Sequence, residues 1–417
     1  MNTLRVFMTE SLREAISLLS RVALSNKKSD DAYVEAIKID KRGVMYAVNP
    51  VITISYKLSV GELGLTPQFP ENDILIPAKG ISILQNVSDN SEVTISESNN
   101  QLTIKTGKGK GGKSTFASMK ANAFPKIDGI NTEKQNSFYC GDLVEAIKVT
   151  SQAISANSAK PLYNGLHFIS DAENLTIFAC DGYSAAIYQI PYESDEFTVS
   201  IPRECINLLN TAISKKESTA SVALRRTEMG RSAAFIVDEQ TIIITRLLEG
   251  ELINYKDFFD CDLPHKVGAK KDALLNILKS INIVAEKGTL VSPTVLHFVS
   301  DGVCEFSYKN ATSEYYDVLQ LYCPKNTETA EMTIGMNNDF LTNAVKSMPG
   351  NNIIIFYEQP LKQIKISAII DSGKNENVSE KESEKSDENA DKKETGNSEI
   401  KRKKRIEYIC IPMRLNA

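Results

Sequence analysis

The stretch GKGKGGKS, Gly107 to Ser114, fits the phosphate-loop pattern, with Gly107, Gly112, Lys113 and Ser114 at the required places. In that motif, backbone N–H groups cradle phosphates, the lysine reaches the outer phosphates and the hydroxyl holds magnesium. LTIFACD, Leu175 to Asp181, would supply an acid-tipped strand for the same ion. The chemistry requires a helix directly after the lysine, because the amides at its N-terminus hold the phosphates. Here Ser114 runs into TFASMKANAFP, which alternates like a strand and soon meets Pro125. The expected structure is a glycine-rich hairpin loop with solvated lysines. A phosphate-loop nucleotidase using Gly107 to Ser114 stands as the alternative function.

The chain ends in YICIPMRLNA, Tyr408 to Ala417. Tyr408 to Ile411 is strand-like, and Pro412 ends the run because it cannot donate to a sheet ladder. Ile, Met and Leu at a terminus are either a closing edge strand on its own core or a surface held out for a partner. KRKKR, Lys401 to Arg405, reads as the basic end of a solvated linker, with a nucleic-acid patch as the other option. The three histidines, 167, 265 and 297, are not spaced as ligands, so a His-based metal site or catalytic triad is not expected; no cofactor is expected either.

With 417 residues the chain exceeds one ordinary domain. A net charge of −5 argues against a simple basic nucleic-acid binder, so any such contact must come from segregated charge. Seven cysteines, widely spaced, odd in number and without a CxxC pair, suit a reducing compartment. No segment has the roughly 18 consecutive apolar residues that span a bilayer. A soluble, intracellular protein is the expectation.

One order of elements recurs. Leu12, Ala15, Ile16, Leu19, Val22 and Ala23 fall at helical spacing from Ser11 to Leu24, and strand-like runs follow at 36–39, 45–48 and 52–58. Starting at Phe69, a strand leads into Pro77 and a second helix through Ile81, Leu84 and Val87, then strands at 92–95 and 102–106. The order restarts with a helix over Phe138 to Ser155, strands at 166–169 and 175–179, and a strand, Pro202 and helix from Glu196. It restarts again with a helix over Lys270 to Val284 and a strand-to-helix unit from Glu331. First helices recur about every 130 residues, the mark of a triplicated domain. The fold class is therefore α+β: three repeats, each of two helices packed on antiparallel sheets. The expected domains are 1–130, 131–263 and 264–417. A low-complexity charged insert, 372–405, is expected to be disordered because it cannot bury enough surface to offset its ordering entropy. It interrupts a hairpin between 364–370 and 406–411, which long loops tolerate at small cost.

Charge is segregated along this pattern. Arg13, Arg21, Lys148, Lys279 and Lys346 fall within helices, and Lys79, Arg203, Lys270 and Lys271 at their starts. Lys27, Lys28, Lys160, Lys215, Lys216 and Lys287 fall at or beyond their ends. Helix solvation accounts for any one of these. All three repeats load their helices alike, which would make one face positive if those helices share it.

At this point four stretches resemble the bacterial replicative sliding clamp family, the beta subunit of DNA polymerase III. They are NGLHF (164–168), ACDGYSAA (179–186), TRLLEGELINY (245–255) and IPMRL (411–415), each at its expected place in a triplicated chain. The resemblance implies a non-enzymatic sliding-clamp (DNA clamp) fold, ring-forming as a head-to-tail homodimer around double-stranded DNA without sequence preference. It implies tethering of the replicative polymerase for processivity. Its implied partners are the DNA polymerase III alpha subunit, the clamp loader and other proteins with clamp-binding motifs, with no membrane. A DNA-independent adaptor is the remaining alternative.

Carried over by position, the resemblance implies a partner-peptide groove of Tyr163, Cys180, Gly182, Tyr183, Ser184, Ala185, Ile253, Phe258, Ile409, Ile411, Pro412, Met413 and Arg414. For DNA it implies Lys27, Lys28, Asn157 and Lys160, to which the charge pattern adds Lys79, Lys148, Arg203, Lys279 and Lys346. Phe116, Ile283 and Val284 are implied at the dimer interface. The chain departs from the family where DGHRL reads DGYSA, losing a basic residue and a leucine at Ser184 and Ala185. A usual proline is Ile253, and an apolar position of modest size is Phe258. The groove is expected to stay apolar with a shifted peptide preference.

Overall fold

A computed structural model describes residues 2–25, 35–64, 68–107, 111–125, 134–226, 231–285, 292–299, 302–323, 329–369 and 404–415. Lys27, Lys28, Lys287 and the charged stretch up to residue 403 lie outside the described residues. The chain divides into two compact units, residues 1–169 with 197–253 and residues 170–196 with 254–417.

In the first unit, helix Glu10–Ala23 starts where the Thr9 hydroxyl accepts the Leu12 N–H at 3.0 Å. Its buried stripe includes Leu12, Ile16, Leu19 and Val22, as the spacing predicts. This helix packs on Ala78–Gln85 and on Arg203–Ile213, and the last of these also packs on Cys140–Thr150. Pro77 and Pro202 end strands and occupy helix N-cap positions, where the missing N–H of proline costs nothing. Strands Asn2–Phe7, Glu92–Ser98, Gln101–Thr106 and Gly112–Ala117 form one antiparallel sheet in that order. A second sheet runs Ile74–Pro77, Ala36–Ile39, Val44–Val48, Ile52–Lys57, Thr241–Arg246, Ser232–Ile236, Ser221–Arg226, Lys134–Tyr139.

The second unit repeats the scheme. Strands Asn174–Cys180, Ser184–Pro191, Arg405–Cys410, Ile364–Ala368, Asn352–Tyr357 and His265–Lys270 neighbour one another in that order. Glu314–Gln320, Val303–Lys309, Thr294–Val299 and Met332–Met336 make a separate four-stranded sheet. Helices Lys271–Val284 and Asn338–Ser347 pack on each other. The second is capped by Asn337, whose side chain accepts from the N–H groups of Asp339 and Phe340.

Two sequence expectations are corrected. Phe138 and Tyr139 belong to strand Lys134–Tyr139, and the helix begins at Cys140. Phe138 pairs with Val222 and packs its buried ring 6.0 Å from Phe168, a sheet position that overrides its helical spacing. Arg405 is the first residue of strand Arg405–Cys410, opposite Gln189, so the charged insert ends before it. The interrupted hairpin forms as expected, with Ile366 opposite Tyr408.

Candidate functional site

The phosphate-loop reading fails on geometry. Gly112, Lys113 and Ser114 lie in strand Gly112–Ala117, with Lys113 opposite Lys105, so the chain continues as strand after the lysine where the motif needs helix amides aimed at a phosphate. Gly111 meets a local steric demand instead: a Cβ there would lie 1.8 Å from the Thr106 carbonyl oxygen. Asp181, at the tip of the proposed magnesium strand, is used locally. Its carboxylate accepts the N–H groups of Tyr183 at 2.8 Å and Ser184 at 2.6 Å, and the Ser184 hydroxyl at 3.1 Å. Gly182 adopts φ +94° in this turn, a conformation that suits glycine.

The turn sets Tyr183 beside the chain terminus. The Ile411 N–H donates to the Tyr183 carbonyl at 3.0 Å, and the Ser184 hydroxyl lies 3.2 Å from that of Tyr408. Tyr183 is 65 % exposed, and its ring stacks on Phe340 at 5.9 Å and 13°. Phe340 is thus a member of this surface that sequence reading missed. Its signal was available: it sits one turn into a helix capped by Asn337, at the start of a repeated strand-to-helix unit.

Beyond the strand, the Met413 N–H donates to the Gly335 carbonyl at 2.8 Å, which lays the tail along Met332–Met336. Ile411 is 49 % exposed, while Ile409, Ser184 and Ala185 are buried. Gly182 and Arg414 are exposed; Cys180, Pro412 and Met413 are half-buried. Phe258, 37 % exposed, sits on the single helical turn Lys256–Phe259, which packs against Arg405–Cys410. The second unit therefore gathers eleven of the thirteen groove positions around one strand and its tail. The arrangement is an apolar surface with a few backbone polar groups, suited to gripping a short peptide.

Tyr163 and Ile253, the other two positions, are half-buried in the first unit. Tyr163 closes a short loop with Asn157 and Lys160. The Ser155 N–H donates to the Tyr163 carbonyl at 2.8 Å, and Lys160 Nζ lies 5.1 Å from the Tyr163 ring centre. His167 anchors this loop: one ring nitrogen lies 3.0 Å from the Leu162 carbonyl, and the other lies 2.8 Å from the Ser200 hydroxyl. Burial pushes the imidazole down to about 4, so the folded chain keeps it neutral. The unfolded chain takes up that proton below about pH 6.5, hence stability is full above this value and falls as pH drops towards 4. The loss should approach about 3 kcal/mol. Urea titrations between pH 7 and 4 should show this slope in the parent and a flatter one in His167→Gln.

The cations divide into two sets. Arg13 reaches Asp89 at 2.5 Å and the Val87 carbonyl at 2.8 Å; Lys215 pairs with Glu14 and Lys216 with Asp238, each at 2.6 Å. These three are engaged within the chain. Lys79, Lys148, Lys279 and Lys346 are exposed with no ion-pair partner among the described residues; Asn157 and Lys160 are exposed and Arg203 is half-buried. Arg21, Lys148 and Lys346 lie in last helical turns, where the helix dipole also favours cations. Phe116 is half-buried on an edge strand, Ile283 is 84 % exposed and Val284 half-buried, the last two at the end of a helix that packs on edge strand Glu314–Gln320. No cluster of three His, Cys, Asp or Glu side chains among the described residues could hold a metal ion. None of the described helices is long and apolar enough to cross a membrane.

Residues 140–254 match the family model for the central domain of the DNA polymerase III beta subunit. The beta sliding clamp of Rickettsia felis is 21% identical over 295 residues, covering 69% of this chain and 76% of that protein. That of Rickettsia bellii is 18% identical over 358 residues, 84% of this chain and 91% of the other. Among solved structures, the DNA polymerase sliding clamp of Bacillus subtilis superposes with a TM-score of 0.79 at 16% identity, with both chains fully covered. The DNA polymerase III beta subunit of Thermotoga maritima gives the same score, identity and coverage. The chain is similar in sequence to beta sliding clamps and has their fold.

Proposed function

We propose that this chain is a DNA sliding clamp of the polymerase III beta-subunit type, a non-catalytic ring of two copies around duplex DNA. In this reading it tethers the replicative polymerase and docks short apolar peptides of the clamp loader and other replication proteins. It acts in the cytoplasm on nucleoid DNA. Tethering works by mass action, because it raises the local concentration of the enzyme at the primer end.

The observation that carries the reading is a missing join. Strands come in runs of three, and the third strand of one run pairs with the third of another. Ile52–Lys57 pairs with Thr241–Arg246, and Ser184–Pro191 pairs with Arg405–Cys410. Among the described residues two third strands are left over, Gly112–Ala117 and Glu314–Gln320, and each is the edge of its four-stranded sheet. An open edge is a template for pairing with another chain. Two copies joined head to tail would pair each leftover strand with the other kind, and two such joins close a ring instead of growing a filament. Phe116 lies on one of these edges, and Ile283 and Val284 lie on the helix packed against the other. The same logic supports three repeats per chain, six per ring. Analytical ultracentrifugation at micromolar concentration should give about 92 kDa, twice the 46.1 kDa chain. A monomer at that concentration would refute the ring.

The unpaired lysines would supply the lining. Contacts to phosphate carry no sequence information and weaken with salt, as a ring that must slide requires. Lys27 and Lys28 belong to this proposal by position alone. Reversing Lys148, Lys279 and Lys346 to Glu should lower equilibrium affinity for short duplexes about tenfold or more at low salt and flatten its salt dependence. The check is fluorescence anisotropy across a salt series. Unchanged affinity and slope would assign these lysines to helix solvation.

A further inference from the structure

Phe258 stands on the helical turn Lys256–Phe259, too short to persist without outside support. That support comes from the two strands of the terminal hairpin and the residues beside them. The Phe258 carbonyl accepts from Gln363 Nε2 at 3.0 Å and from the Cys261 thiol at 3.0 Å. The Phe259 carbonyl accepts from Arg405 Nη2 at 2.8 Å and Lys365 Nζ at 3.3 Å. Two cations on one carbonyl are tolerated because Glu407, itself buried, lies 2.9 Å from Arg405 and 3.6 Å from Lys365. Arg405 also reaches Asp260 at 2.8 Å. The carbonyl end of a helix is its negative end, so cations there stabilise the turn. The Phe259 ring is fully buried, edge-on to Phe178 at 6.5 Å, which leaves its neighbour Phe258 partly exposed.

We infer that Arg405 and Lys365 are positioning residues for Phe258, and that Phe258 so held limits the size of the apolar side chain the groove accepts. This rests on the groove reading above. Arg405 starts the strand whose other end leads into Ile411 and the tail. The Phe258 turn and the tail are thereby held at a fixed spacing by a single strand. Loosening Arg405 frees the Phe258 turn and leaves the tail's own contacts, through Tyr183 and Gly335, in place.

The test uses two fluorescein-labelled hexapeptides, identical except that one ends in Leu-Val and the other in Leu-Phe. The parent dimer should prefer the Leu-Val peptide, and Arg405→Gln, Lys365→Met and Phe258→Ala should each reduce that preference about fivefold or more. In the Phe258→Ala background, adding Arg405→Gln should change nothing further, because the two act through one element. Arg405→Lys should restore part of the preference. Several results would overturn the assignment: no preference in the parent, a preference untouched by Arg405→Gln, or equal weakening of both peptides in both backgrounds. If the parent binds neither peptide, the groove reading itself falls; if it binds both and only Arg405→Gln is silent, the groove stands and the positioning role falls.

Discussion

Ile283→Asp should leave the chain folded and abolish the proposed dimer. Ile283 is 84 % exposed in the single chain, so a carboxylate there costs the fold almost nothing. Buried without a partner at a subunit join, the same carboxylate costs several kcal/mol, and about 3 kcal/mol weakens association more than a hundredfold. The proposed ring would have two such joins, so the penalty would apply twice. Ultracentrifugation should show the 46.1 kDa species alone, with unchanged circular dichroism. Peptide binding should persist, since Ile283 is not among the groove positions, while retention on circular DNA disappears. A variant that still sediments as a dimer would place the join elsewhere.

The second large effect is expected at Gly335. A Cβ there would lie 2.6 Å from Leu415 Cδ2 and 2.9 Å from the Met413 carbonyl oxygen. A leucine end can move aside, but the Met413 backbone is hydrogen-bonded to Gly335 itself, so the tail must lift. Gly335→Ala should therefore displace Met413 and cut affinity for a short apolar peptide by roughly tenfold, as loss of an anchor contact does. Overpacking costs the fold about 1–3 kcal/mol, enough to register in the melting temperature without unfolding the chain. Adding Leu415→Ala should recover only part of the loss, because it relieves the side-chain clash and not the backbone one. Isothermal titration of parent, single and double variants decides the matter; equal affinities would show that the tail is no part of the groove.

Sequence reading recovered the elements that carry their own local signal. Leu12, Ile16, Leu19 and Val22 mark a helix face wherever the chain lies, and Pro77 and Pro202 punctuate strand-to-helix turns by their chemistry alone. Ser184–Pro191 was invisible because SAAIYQIP does not alternate: Ser184 to Tyr188 are all buried, so no exposed face interrupts the run. Phe138 misled because a buried aromatic fits either period. Arg405 misled by composition. It closes a charged run, yet its guanidinium is consumed by Glu407, Asp260 and the Phe259 carbonyl, an arrangement that only the folded hairpin creates. For the same reason the phosphate-loop letters at Gly107 to Ser114 could be discounted from what followed them. A motif defined by where a helix begins is decided by its neighbours.

The groove positions were carried by resemblance, and the fold adds what resemblance lacked. It supplies Phe340 stacked on Tyr183, the Met413–Gly335 bridge and the cation pair behind Phe258. Ser184 and Ala185, where a basic residue and a leucine are usual, are buried against the terminal strand, with Ala185 opposite Ile409. Bulk lost there and gained at Phe258 would shift the proposed apolar surface without making it polar.

One assay addresses encirclement most directly. The dimer, loaded onto nicked circular duplex by a clamp loader and washed in high salt, should remain bound for as long as the circle is closed. Cutting the circle once should release it within the time of diffusion to an end. Equal retention on cut and uncut DNA, or loss from both in proportion to salt, would mean that the chain holds DNA by charge and does not surround it.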